Sequence, residues 1–132
     1  MKKEHAMKLE IISTDKAPAA IGPYSQAVKC GNMLFCSGQI PLDPNTGDVV
    51  KGDIAIQAGQ VMSNIAAVLS AAGVGFDSVM KTTIYLVDMA DFTAVNEVYG
   101  RYFPGHKPAR STVAVKSLPR AVMLEIDVIA TL

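Results

Sequence analysis

The chain has 132 residues, half of them apolar and only 18% charged. That is one ordinary domain with enough apolar side chain to build a core, here taken as residues 1–132 with residues 1–8 expected to be disordered. Twelve basic residues balance twelve acidic ones, so no charge excess exists to attract a polyphosphate, and nucleic-acid binding is not expected.

The start, Met1 to Met7, is charged and lacks the apolar stretch of a signal peptide. Two cysteines, Cys30 and Cys36, fit a reducing compartment better than a disulfide framework. A cytoplasmic protein is therefore expected. The low charge content is also what a surface partly covered by another subunit would show.

Lys8 to Ile12 reads as a first strand. Ala17 to Tyr24 holds two prolines and a glycine and reads as a loop. Gln26–Cys30 and Met33–Ser37 flank Gly31-Asn32, a hairpin signal in which Gly-Asn supplies the positive φ angles of a tight turn. In that register Cys30 pairs with Met33 and Cys36 pairs near Ala27, on opposite faces, so the two thiols cannot bond. Pro41 to Gly52 is polar and turn-rich.

Asp53 then caps a helix whose apolar residues Ile54, Ala58, Val61, Ile65, Val68, Leu69 and Ala72 keep helical spacing, with Gly73 at its end. Gln57, Gln60 and Asn64 interrupt this segment, which makes it a packed helix and not a membrane span. Ser78–Val87 reads as a strand. Asp91 caps a second helix with Phe92, Val95, Tyr99 and Tyr102 on one side, stopped by Pro104-Gly105. Arg110–Val115 and Val122–Thr131 read as a terminal hairpin turning at Leu118-Pro119-Arg120. The economical arrangement is an α+β two-layer sandwich, one sheet with two helices on one face.

The other face of that sheet has no cover from this chain. By strand parity, Leu124, Ile126, Val128 and Ala130 face the helices, and Met123, Glu125 and Asp127 face away. The same reasoning puts Val113 and Val115 inward and Arg110, Thr112 and Ala114 outward. Arg110, Thr112 and Glu125 are then expected on one face of neighbouring strands. Such a pair reads as a surface ion pair, or as an arginine gripping a carboxylate beside a proton-handling glutamate. Parity does not choose.

Six segments resemble the YjgF/RidA family: Gly22-Pro23-Tyr24-Ser25-Gln26-Ala27, Phe35–Pro41, Asn64–Gly73, Thr83–Met89 with Phe92 and Asn96–Tyr99, Pro108–Val113, and Leu118–Ile126. The resemblance runs in order from Ile11 to Leu132. It implies a chorismate-mutase-like fold with a mixed sheet, and a homotrimer with three inter-subunit clefts. It also implies hydrolysis of 2-aminoacrylate and related 2-imino acids to 2-keto acids and ammonia, with no metal or organic cofactor. Arg110 matches the family's carboxylate-binding arginine, and Glu125 its water-handling glutamate. Tyr24, Ser37 and Gly38 match the cleft lining, and Asn96 a pocket asparagine. Thr112 stands where many deaminating members carry cysteine, which puts in doubt only a role for a thiol there.

Each of these residues also has an ordinary reading. Tyr24 could pack in its loop, Ser37 could satisfy backbone at a strand end, and Asn96 could be a solvated helix residue. His106 reads as an exposed loop histidine and His5 as part of the disordered start. No metal-ligand spacing, phosphate loop or dinucleotide fingerprint is present in the sequence. The same family resemblance leaves two other functions open, an endoribonuclease or translation inhibitor and a non-enzymatic binding or chaperone module.

Overall fold

The computed structural model describes residues 8–132; residues 1–7, His5 among them, lie outside the described residues. Six strands form one mixed sheet. They are β1 (Leu9–Ile12), β2 (Ala27–Cys30), β3 (Met33–Gln39), β4 (Val79–Leu86), β5 (Ala109–Ala114) and β6 (Leu124–Thr131), in the order β1-β2-β3-β6-β4-β5. Two helices, α1 (Ile54–Ala71) and α2 (Phe92–Gly100), cover one face.

The β2–β3 hairpin has the expected register, with Cys30 opposite Met33 and Ala27 opposite Cys36, and both cysteines are free. Its turn differs in detail. Only Gly31 has a positive φ (60°), and Asn32 does not. A single positive φ at the first turn position is the type II′ pattern, whereas type I′ needs both.

Helix α1 begins where Asp53 Oδ1 accepts the Ile56 amide at 2.9 Å. It ends in a Schellman arrangement: Gly73 N donates to Ser70 O (2.9 Å) and Val74 N to Leu69 O (3.0 Å), with Gly73 at φ 82°. Although long and apolar enough to cross a membrane, α1 buries Val61, Met62, Ile65, Val68 and Leu69 in the core beneath the sheet. Helix α2 is entered differently from expectation. Asp91 makes no side-chain cap. Asp88 instead accepts the Ala90 amide (2.9 Å) at the head of a short 3₁₀ turn, Met89–Asp91, which leads into the helix.

The terminal hairpin does not form. β6 inserts between β3 and β4, antiparallel to both, and β5 lies outside β4 and parallel to it. β4–α2–β5 is thus a β-α-β crossover, the connection that parallel pairing requires. The strand–helix–strand alternation was the available signal for it.

This topology reverses the parity expected for β5. Its register sets Arg110 opposite Thr82 and Thr112 opposite Ile84, both fully buried under the helices. Arg110, Thr112 and Ala114 therefore share the helix side, and Val113, 41% exposed, faces away. Glu125 stands opposite Tyr85 on the far face. Arg110 and Glu125 lie on opposite faces with β4 between their strands. The physical reason is that β5 is an edge strand at the margin of the helical layer. Its burial does not alternate, so apolar residues mark no inner face.

The far face carries the expected β6 row of Met123, Glu125 and Asp127, with Leu9, Ile11, Phe35 and Val113 exposed beside it. Large apolar side chains are thus left exposed on this face.

Candidate active site

Two separate groups of side chains hold the residues expected to act. The first lines a cleft of about 620 Å³ on the far face, and includes Tyr24, Ser37, Gly38 and Glu125. Its floor is made by a bulge. The β3–β6 register steps from Cys36↔Val128 to Gln39↔Ile126, so Ser37 and Gly38 occupy a span that Asp127 alone faces on β6. Gly38 matters through what it lacks. A Cβ there would sit 2.8 Å from Cδ and 3.0 Å from Cγ of Glu125 and would overlap the carboxylate. The bare backbone lets that carboxylate lie against β3.

Glu125 is half-buried and accepts no hydrogen bond among the described residues. Burial, and then the negative charge of Asp127, raise its proton affinity above the usual carboxylate range. Ser37 donates its hydroxyl to Ser25 O at 2.6 Å, while its amide donates to Gln26 O at 2.9 Å. The hydroxyl is committed as a donor, and its oxygen can still accept from a bound molecule. Tyr24 stands at the rim, 54% exposed, its amide bonded to Gly22 O.

Three residues shape this cleft without having been singled out from the sequence. Buried Gln26 accepts the Thr14 amide (2.7 Å) and donates to Thr14 O (3.0 Å) and Pro18 O (2.8 Å), which fixes the loop that forms one wall. Buried Asn64 donates to Ile40 O (3.2 Å) and Leu42 O (2.9 Å) and fixes the other wall. Arg120 bounds the cleft and donates to Gly47 O at 2.8 Å. Arg120 and Ala121 both sit at positive φ (58° and 56°), a conformation uncommon for residues with a side chain. A polar residue inside an amphipathic helix pattern was the signal for Asn64. Arg120 had none, because no glycine marks its turn.

The second group lies on the helix face at the β5 edge. Arg110 Nη1 donates to Asn96 Oδ1 at 2.6 Å. Its guanidinium carbon stands 5.1 Å from the Tyr99 ring centroid and 5.4 Å from that of Phe92, within cation–π range. Tyr99 is itself held by a 2.7 Å hydrogen bond between its hydroxyl and Thr82 Oγ1. Arg110 pairs with no carboxylate: Arg101–Glu97 is the sole ion pair among the described residues. A guanidinium with five donors, fixed by an amide oxygen and two rings, keeps a planar edge for an anion. Thr112 Oγ1, next along the same face, is buried with no hydrogen-bond partner among the described residues.

The structure thus brings Tyr24, Ser37, Gly38 and Glu125 together, and Arg110, Asn96 and Thr112 together, and keeps the two sets apart. Asn96 is no idle helix residue, since it orients Arg110. His106 is exposed as expected, and its Nε2 donates to Val79 O at 2.6 Å. The Cys36 thiol is pushed up to about 12 by burial and then by Asp127, and so stays protonated.

A family model described as Endoribonuclease L-PSP matches residues 14–132. A RutC family protein of Pyrococcus horikoshii is 56% identical over 121 residues, covering 92% of this chain and 96% of that protein. A Mus musculus protein named 2-iminobutanoate/2-iminopropanoate deaminase is 50% identical over 121 residues, covering 92% and 90%. The crystal structure of the YjgF gene product from E. coli superposes with a TM-score of 0.87 at 46% identity, covering 92% of this chain and 98% of that one.

Proposed function

The chain belongs to the YjgF/RidA family, and from that premise we propose that it hydrolyses small 2-imino acids to 2-keto acids and ammonia in the cytoplasm, as a trimer. The observation that carries this reading is the presentation of Arg110, a guanidinium clamped by Asn96, Phe92 and Tyr99 and left without a carboxylate partner. A 2-imino acid supplies that carboxylate. The similar mouse protein is named for this chemistry.

Glu125 and Arg110 of one chain face opposite sides of the sheet. They can act on one substrate only if the Glu125 cleft of one copy receives the Arg110 edge of the next. The exposed apolar far face supports such packing, since Leu9, Ile11, Phe35 and Met123 would be covered by it. Three copies related by rotation close a ring with three equivalent sites.

In such a site Arg110 holds the carboxylate at two points and so aims the C=N bond. Glu125 takes a proton from the attacking water while the water oxygen bonds to the imine carbon. Glu125 passes that proton to the imine nitrogen, giving the carbinolamine; its hydroxyl proton then moves to nitrogen as the C=O bond forms and the C–N bond breaks, and the keto acid and ammonia leave. Burial raises the proton affinity of Glu125, which makes it a better base than an exposed carboxylate.

The test generates the imine in situ with an amino-acid-deaminating enzyme and follows keto acid and ammonia release. Acceleration by this protein, lost in Arg110→Lys, is expected. No acceleration over the spontaneous rate would leave a binding module as the reading.

A further inference from the structure

Glu125 has a second carboxylate beside it that the proposed reaction does not use. Asp127 lies two residues on, on the same face of β6. Tyr85, directly opposite Glu125 on β4, does not bond Glu125. Its hydroxyl reaches diagonally and donates to Asp127 Oδ2 at 3.1 Å. The tyrosine therefore anchors the Asp127 carboxylate and leaves Glu125 without a donor.

The other groups on this side do not cancel that charge. By register Lys81 shares the far face of β4, opposite Ile129, and β3 contributes uncharged Phe35 and Ser37. Tyr24 and Arg120 border the cleft from its loops. Neither Lys81 nor Arg120 forms an ion pair with Glu125 or Asp127.

We propose that Tyr85 and Asp127 are positioning residues for Glu125: Tyr85 anchors the Asp127 carboxylate beside Glu125 and leaves Glu125 itself unbonded, as the carboxylate that handles the proton. Two carboxylates of unlike environment on one strand divide the work. The hydrogen-bonded one is held in place by Tyr85, and the unbonded one is left to exchange protons. The raised proton affinity of Glu125 has Asp127 as its second cause after burial, in agreement with this arrangement. Tyr85, kept protonated chiefly by burial, remains a donor throughout the working pH range.

This inference rests on the reading of Glu125 as the base, and its test separates the two. The intact protein, labelled with ¹³C at glutamate side chains, is titrated by NMR alongside the pH profile of imine hydrolysis. In Asp127→Asn the Glu125 midpoint moves to lower pH, and the acid limb of the rate profile moves with it. At neutral pH kcat falls about two- to tenfold, as a weaker base transfers protons less well, while KM changes less. Tyr85→Phe gives a smaller move in the same direction. Asp127→Glu restores the charge and brings the midpoint back. Asp77→Asn, which removes a carboxylate before the opposite end of β4, leaves it in place. An unchanged Glu125 midpoint in Asp127→Asn overturns the inference. A midpoint that moves while the rate profile stays fixed supports the coupling and instead overturns Glu125 as the base.

Discussion

Replacing Gly38 with alanine should separate activity from stability without touching a charged residue. The new Cβ would lie 2.8 Å from Cδ and 3.0 Å from Cγ of Glu125, and it would overlap the carboxylate itself. The three nearest atoms all belong to the flexible Glu125 side chain, which yields more readily than the strand. The flexible end of Glu125 must swing aside instead. A displacement of about 1 Å at a reacting group can cost about 100-fold in rate, and a loss of that order is expected in imine hydrolysis. Gly38 is not among the positive-φ glycines, so alanine meets no backbone strain there. Restricting the unfolded chain should then offset the local rearrangement, leaving stability unchanged or raised by up to about 1 kcal/mol. Keto acid release measured beside a denaturant melt reads both quantities. In a Glu125→Gln background the alanine should cost little further, because the group it displaces no longer acts. Near-parental turnover in a folded Gly38→Ala protein would refute the claim that Glu125 acts from this position.

Arg110→Lys keeps the charge but loses the planar fork and its stacking on Tyr99 and Phe92, so turnover should fall strongly while the melting temperature barely moves; retained turnover would end the carboxylate-clamp reading. Glu125→Gln should abolish turnover and still bind 2-keto acids, which isothermal titration can follow. The same variant should change the pH dependence of stability. Because the folded proton affinity of Glu125 is raised, its ionisation weakens the fold as pH rises through the window from the ordinary carboxylate range to the raised value. Glu125→Gln should therefore melt higher than the parent at neutral pH and show no gain at acidic pH; an equal gain at both would contradict the sign. Ala121→Gly, at φ 56°, should relieve left-handed strain beyond the entropy cost of glycine and stabilise by about 0.5–1 kcal/mol, and a lower denaturation midpoint would count against strain at that turn.

The elements closest to their sequence signals are those whose signals are local. The β2–β3 register followed from a two-residue turn, and α1 from Asp53, the apolar spacing and Gly73. Both depend on contacts within a few residues. The placement of β5 depends on a choice made across the sheet. Arg110 to Val115 reads equally well as one arm of a hairpin or as the end of a crossover, and only pairing with β4 decides which face Arg110 takes. A one-step error in parity moves every side chain to the other side. The expected Arg110–Glu125 juxtaposition within one chain failed for that reason, while the family resemblance implies a site between subunits. Gln26 and Arg120 act through loop carbonyls distant in sequence, at Thr14, Pro18 and Gly47, and no local pattern carries such pairings.

The central claim is that one site uses Glu125 from one copy and Arg110 from another, and mixing inactive subunits tests it most directly. Arg110→Ala and Glu125→Gln are each expected to be inactive alone. Co-refolded at equal amounts into mixed trimers, a site is intact when its Glu125 comes from an Arg110→Ala chain and its Arg110 from a Glu125→Gln chain. Random assembly makes this true of about one site in four, so about a quarter of parental turnover should return. Mixed trimers verified by mass spectrometry that regain no turnover would contradict a shared site.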